Sequence, residues 1–216
     1  MKLSLLKLLS LAALVCLIGC GGGDDNPVDN KDNNGTNNGG NSNNNNNNNG
    51  GGSYESVKIG SQTWMKKNLN IETANSWCYD NSPDSCAKYG RLYTWNAAKT
   101  ACPTGWKLPD TVDWNKLITT AGGTQSAGRK LKAASGWNSD GNGTDESGFS
   151  ALPGGYGSSG VYASYFYSVG EVGEWWTATE SGGNACSRDM RYTNDRVGSN
   201  NAANKETGHS VRCIKQ

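Results

Sequence analysis

Along residues 54–216 the apolar positions recur with two periods, and each period predicts a different kind of element. In "VKIGSQTWM" (57–65) two alternating runs flank Gly60-Ser61, a two-residue turn with glycine first, and this reads as a β-hairpin. In "PDTVDWNKLITTAGG" (109–123) Trp114, Leu117, Ile118 and Ala121 fall at i, i+3, i+4 and i+7, the buried stripe of a helix. Asp110 is placed to cap that helix, Asp113 puts negative charge in its first turn, and Gly122 supplies the stop. "YTWNAAKTAC" (93–102) predicts an earlier helix, with Thr94 as N-cap and Pro103 as terminator. "SAGRKLKAA" (126–134) predicts a weaker third one. After Gly136 the pattern changes to short aromatic or β-branched runs between Gly and Asn clusters: "GFSALP", "EWWTATE", "CSRDMRYT" and "HSVRCIK". These read as strands of an antiparallel sheet with long loops. Helices first and strands after predict an α+β domain.

The N-terminus follows none of these patterns. Lys2 and Lys7 precede an apolar run from Leu8 to Ile18, too short to span a bilayer but of signal-peptide length. The run ends in Leu17-Ile18-Gly19-Cys20, which looks like a bacterial lipobox. On this reading residues 1–19 are removed, and Cys20 becomes an acylated N-terminus anchored through two or more chains. An ordinary secretion signal or an uncleaved anchor is the alternative. Asn and Gly make up 23 of the 33 residues from 21 to 53. Such a segment cannot bury enough apolar surface to offset its ordering entropy, so residues 20–53 read as a disordered tether. A flexible coil of that length spans roughly 30 Å. Gly21-Gly22-Gly23-Asp24-Asp25 resembles the acidic export signals of some surface lipoproteins, which points to the outer face of an outer membrane.

All 8 Trp, 9 Tyr and 2 Phe lie in the remaining segment, 54–216, the size of one domain with an aromatic core. Net charge is +1 with no basic block, which argues against nucleic acid as a partner. Of 7 Cys, Cys16 leaves with the signal and Cys20 takes the lipid. Export implies an oxidising compartment, where pairing is the default. Cys78 and Cys86 flank the polar turn "YDNSPDS" and form the natural local pair, a bridge contributing roughly 2.5 kcal/mol. Residue chemistry alone does not assign Cys102, Cys186 and Cys213.

The order Trp95, Ala98, Cys102, Gly105, Leu108, then a helix with Asp113 and Trp114, then a Cys in the last strand, resembles the C-type-lectin-like fold. "GWKLPDTVDW" is also similar to an elbow of formylglycine-generating-type domains, a branch of that fold. A narrower resemblance runs from about residue 56 to the C-terminus. "VKIGSQTWMKKNL", "CYDNSPDSCAKYGRLYTWNAAKTACPTGWKLPD", "GWNSDGNGTDESGFSALPGGY", "EWWTATE" and "HSVRCIK" look like the Fibrobacter succinogenes major paralogous domain family. That family consists of exported, often lipid-anchored proteins without an established molecular role. The resemblance implies a Cys102–Cys213 bridge and leaves Cys186 unpaired, expected to be buried and inert.

Enzyme chemistry finds little support in the residues. The oxidases of the related branch use two nearby Cys, whereas Cys186 and Cys213 are far apart in sequence and Cys213 is taken by the implied bridge. The single His, His209, has no Ser-His-Asp or metal-His set around it, and no phosphate loop or dinucleotide fingerprint occurs. Asp140, Asn142, Thr144 and Asp145 (or Glu146) alternate with Gly in "WNSDGNGTDESG" (137–148), an oxygen-rich loop that suits Ca²⁺. The competing reading is a turn whose Asp and Asn bond their own backbone. Trp175 and Trp176 are adjacent strand positions, so one is expected inward and the other outward or towards a loop. Tyr162, Tyr165, Tyr167 and Trp176 are the aromatic candidates for contacting a ligand. The sequence therefore predicts a lipid-anchored bacterial envelope protein displaying a non-catalytic module that binds polysaccharide or another envelope protein. The alternatives are a surface structural protein without a ligand and a relative of the oxidases.

Overall fold

A computed structural model describes residues 53–158 and 165–216 of the chain. The signal peptide, Cys20, the tether up to residue 52 and Tyr162 lie outside the described residues. The hairpin forms as expected: β1 (Ser56–Ile59) pairs antiparallel with β2 (Gln62–Met65). Gly60 takes φ +59° at the first turn position, a conformation other side chains resist. Two short strands, β3 (Ser76–Trp77) and β4 (Leu92–Tyr93), enclose the Cys78–Cys86 bridge. The loop closed by that bridge was expected to be a plain turn. It holds a 3-10 turn at Tyr79–Asn81 and then the start of α1 (Pro83–Tyr89). Pro83 sits in the first helical turn, where its missing N–H leaves no hydrogen bond unmade.

The elbow follows. Helix α2 (Trp95–Ala101) is capped by the Thr94 hydroxyl, which accepts from Ala97 N, and it ends at Cys102. Gly105, at φ +82°, turns the chain into β5 (Trp106–Lys107). Helix α3 (Thr111–Thr120) begins with a reciprocal cap: Asp110 accepts from Asp113 N at 2.8 Å, and Asp113 accepts from Asp110 N at 3.2 Å. Lys107 adds a 2.7 Å ion pair to the same Asp113 carboxylate. The third predicted helix is one short segment, α4 (Ala127–Leu131).

Beyond α4 come the hairpin β6 (Tyr156–Gly157) and β7 (Phe166–Tyr167), then β8 (Val172–Ser181), β9 (Asn184–Arg191), β10 (Val197–Ala203), β11 (His209–Ser210) and β12 (Ile214–Lys215). One sheet runs β1-β2-β12-β5, so the last strand of the chain lies between the first hairpin and the elbow. A second runs β10-β9-β8-β11-β4-β3, antiparallel apart from the β8–β11 pair. The architecture is α+β with predominantly antiparallel sheets.

Three expectations about strands need correction. "GFSALP" forms no strand; Ala151 makes only an isolated bridge to Lys132. "HSVRCIK" is not one strand but two, because residues 211–213 pass from the six-stranded sheet to the four-stranded one. Trp175 and Trp176 are both fully buried, so Trp176 offers no outward ring. Strand alternation still holds, but β8 is covered on both sides. Trp175 joins a cluster with Trp64, Trp114, Phe149 and Met190, and Trp176 joins another with Tyr93, Trp95, Val211 and Cys213. Helices α2 and α3 both contact β8, which is how neighbouring side chains of opposite direction each reach a core.

Cys102–Cys213 and Cys78–Cys86 are both bonded, and Cys186 is a buried free thiol. The first bridge ties the C-terminus of α2 to the residue before β12.

Candidate functional site

Two surfaces carry features that an ordinary fold does not require. The first is the β6–β7 hairpin. Its register sets Tyr156 opposite Tyr167, and their rings stack with centroids 5.4 Å apart at 28°. Phe166, the next residue along, packs its ring against Tyr79 at 5.1 Å. The backbone of Gly157 exchanges hydrogen bonds with Gly208, fixing the hairpin beside β11. Tyr165 is 57 % exposed and Tyr167 44 %, making them, with Val112, the large apolar side chains most open to solvent among the described residues. Both were singled out in the sequence.

The second surface is a cleft of about 410 Å³ between residues 66–70 and the end of α1, bordered also by Ser150, Leu152 and Arg212. It opens into a larger groove that runs past the Cys78–Cys86 bridge and Arg91. Asn68 organises its floor. Asn68 Nδ2 donates to Tyr89 O (2.8 Å) and Ser210 Oγ (3.3 Å), while Oδ1 accepts from Trp175 Nε1 and Arg212 Nε, each at 2.9 Å. Gly90 closes the wall, since a Cβ there would lie 2.8 Å from the Asn68 Cβ. Nothing in the periodicity of 66–72 or of "HSVRCIK" marks this cleft, because its parts come from five separate segments.

The oxygen-rich loop has local partners. Asp145 accepts from Ser150 N at 2.7 Å and from Ser150 Oγ at 2.5 Å. Asn142 Oδ1 accepts from Trp137 N at 3.0 Å, and the Thr144 hydroxyl donates to Arg129 O at 3.3 Å. Asp140 is exposed, at φ +58°. Three of the four oxygen-bearing side chains are thus engaged by Trp137 inside the loop, by Ser150 just beyond it and by Arg129 in α4. Among the described residues no three His, Cys, Asp or Glu side chains come together as a metal group.

A buried polar set surrounds the only His. His209 Nδ1 lies 3.5 Å from Glu174 Oε2, and the Ser187 hydroxyl donates to Glu174 Oε1 at 2.9 Å. The His209 ring meets Trp176 edge to face at 4.2 Å. Hydroxyl, carboxylate and imidazole stand in that order, so the imidazole is not in place to take the hydroxyl proton. Burial pushes His209 down to about 3 and moves Glu174 upward, with the Ser187 bond opposing the latter shift. The sign for His209 follows. The unfolded chain binds a proton near pH 6.5 and the folded chain does not until about pH 3, so stability is lost as pH falls between these values. Glu174 has the opposite sign: its contribution is present at low pH and is lost as pH rises through its folded value. Urea unfolding of His209→Gln, compared with the parent from about pH 7 to about pH 5, is expected to lower the acid-side slope by about 1 kcal/mol per pH unit on average. An unchanged slope would mean that His209 is protonated in the fold.

Residues 57–215 match the Fibrobacter succinogenes major domain. The chain belongs to this family. The match takes in nearly all of the hairpin β1–β2, the elbow, both bridges and the tyrosine face, and all of the cleft lining except Glu55, so these are features of a Fibrobacter succinogenes major domain. No curated protein and no solved structure matches the chain. Among the described residues of this domain no helix is long and apolar enough to cross a membrane.

Proposed function

We propose that the chain is a lipid-anchored envelope protein of a bacterium, displaying a non-catalytic module of C-type-lectin-like architecture whose tyrosine face binds polysaccharide. The observation carrying the binding reading is the stacked Tyr156–Tyr167 pair with Tyr165 exposed beside it. Aromatic rings on paired strands present flat apolar surface with a polar tip, which suits the faces of sugar rings. Support for the anchor comes from Lys2, Lys7, the apolar run and Cys20. Support for the lectin-like architecture comes from the bridge joining the end of α2 to the last strand, and from the pairing of β12 with β2. A non-catalytic role is favoured by Cys186, a single buried thiol with the other described Cys all in bridges.

A glycan array probed with the full-length chain in detergent tests the reading. Binding is expected to weaken about fivefold to tenfold in Tyr167→Ala, the scale of one lost aromatic contact. Because Asp145, Asn142 and Thr144 already have hydrogen-bond partners at Ser150, Trp137 and Arg129, binding is expected to survive a chelator. Loss of binding on chelation would restore a Ca²⁺ role for 137–148. An array with no retained glycan in either condition would remove the saccharide reading and leave an envelope-protein partner or a purely structural role.

A further inference from the structure

The cleft beside α1 holds something the tyrosine face lacks, a buried positive charge without a carboxylate partner. Arg212 is 1 % exposed. Its Nε donates to Asn68 Oδ1 at 2.9 Å, and its Nη1 donates to the carbonyls of Met65 (3.1 Å), Lys66 (3.0 Å) and Phe149. All four acceptors are neutral. Nη2 makes no hydrogen bond among the described residues, and no Asp or Glu there forms an ion pair with Arg212. Asp145 acts on the guanidinium only through space, and both of its oxygens accept from Ser150. Burial pushes Arg212 down to about 9, which leaves it charged at neutral pH. A buried guanidinium is costly unless its charge is answered.

Arg212 lines the cleft, and so do Lys66, Lys67 and Lys88. The one carboxylate in the lining is Glu55, which pairs with Lys67 at 3.3 Å. Lys88 lies 4.7 Å above the Tyr89 ring, and Lys66 has no ion-pair partner among the described residues. We propose that this cleft is an oxyanion site, in which a carboxylate or sulfate group accepts a hydrogen bond from Arg212 Nη2 and is held at the rim by Lys66 and Lys88. Asn68, with all four of its hydrogen bonds made, locks the guanidinium before any ligand arrives, so little ordering accompanies binding. A charge-assisted bond from a guanidinium that is itself 1 % exposed is stronger than one made by a fully solvated side chain. Surface lysines alone would attract any anion weakly; Arg212 is what makes the site selective for an acceptor oxygen. The site stands whether or not the tyrosine face binds sugar.

The test is a titration of the full-length chain, labelled with ¹⁵N-arginine, with sodium sulfate and separately with sodium acetate. Sodium chloride keeps the ionic strength constant, and the readout is the Arg212 side-chain Nε–H resonance. A saturable shift with either anion is expected, and which anion gives it names the group. In Lys66→Ala/Lys88→Ala the apparent dissociation constant is expected to rise about tenfold or more, with the anion-free resonance unmoved. Arg212→Met removes the reporting resonance, so its anion binding is read by titration calorimetry, where the binding heat is expected to be lost; where that variant does not fold, the lysine variant still decides. A shift no different from that produced by chloride, or the same affinity in the lysine variant, overturns the proposal.

Discussion

Replacing Cys102 with Ser and Cys213 with Ala is expected to lower the unfolding free energy by roughly 4–5 kcal/mol. The bridge closes a separation of 111 residues, and the denatured chain without it gains the freedom of that whole loop. Against a typical total of about 5–15 kcal/mol, such a loss leaves a marginal fold. The short bridge provides an internal comparison. Cys78 and Cys86 are 8 residues apart, and removing both is expected to cost only roughly 2.5 kcal/mol. Urea unfolding of the two variants decides the matter. Equal losses would mean that packing around the sulfurs, rather than loop length, sets their contribution.

Trp114→Ala is expected to cost about 3–5 kcal/mol, the range for truncating a buried aromatic. Trp114 is fully buried, and its ring centroid lies 5.2 Å from Trp64, 5.8 Å from Phe149 and 6.1 Å from Trp175. It joins α3 to the first hairpin, to the 149–151 segment and to β8 at one point. Among the described residues its Nε1 has no hydrogen-bond partner. Trp114→Phe therefore forfeits volume but no bond. Trp175→Phe loses the bond to Asn68 Oδ1 as well and disturbs the group that fixes Arg212. Chemical denaturation should rank Trp114→Ala as the most destabilising, then Trp175→Phe, then Trp114→Phe. Trp114→Phe costing as much as Trp175→Phe would show that the Asn68 network adds nothing to stability.

The parts of the fold that could be read from the sequence are those governed by short-range rules. Gly60 marks the hairpin turn, Thr94 caps α2, and Asp110 with Asp113 starts α3, each through neighbours within four residues. What escaped has long-range causes. Strand β10 reads "VGSNNAA" and buries only Val197 and Ala203, because it is an edge strand paired on one side and otherwise solvated. Helix α1 is hidden behind Pro83 and two bridged cysteines, which look like a turn in isolation. Trp176 was misplaced because alternation tells which way a side chain points and not whether something waits there.

The same division holds for the sites. Tyr165 and Tyr167 stand out in sequence as aromatics among small polar residues, and they are exposed. Arg212 sits in "HSVRCIK", where strand alternation would send a charged side chain to solvent. It is buried because residues 211–213 cross between two sheets, and both ends of that crossing are enclosed. The disulfide between Cys102 and Cys213 was implied by family resemblance alone; spacing left three thiols unassigned.

The claim on which the rest depends is that this domain matures in an oxidising compartment with its first helical elbow sealed to its final strand. Peptide mapping of the chain recovered from a bacterial envelope fraction, with thiols blocked before lysis and no reductant, tests it most directly. The expected result is one linked pair of peptides carrying Cys102 and Cys213, a Cys78–Cys86 link, and Cys186 recovered as a thiol blocked only after unfolding. Recovery of Cys102 and Cys213 as separate, blocked thiols would contradict it.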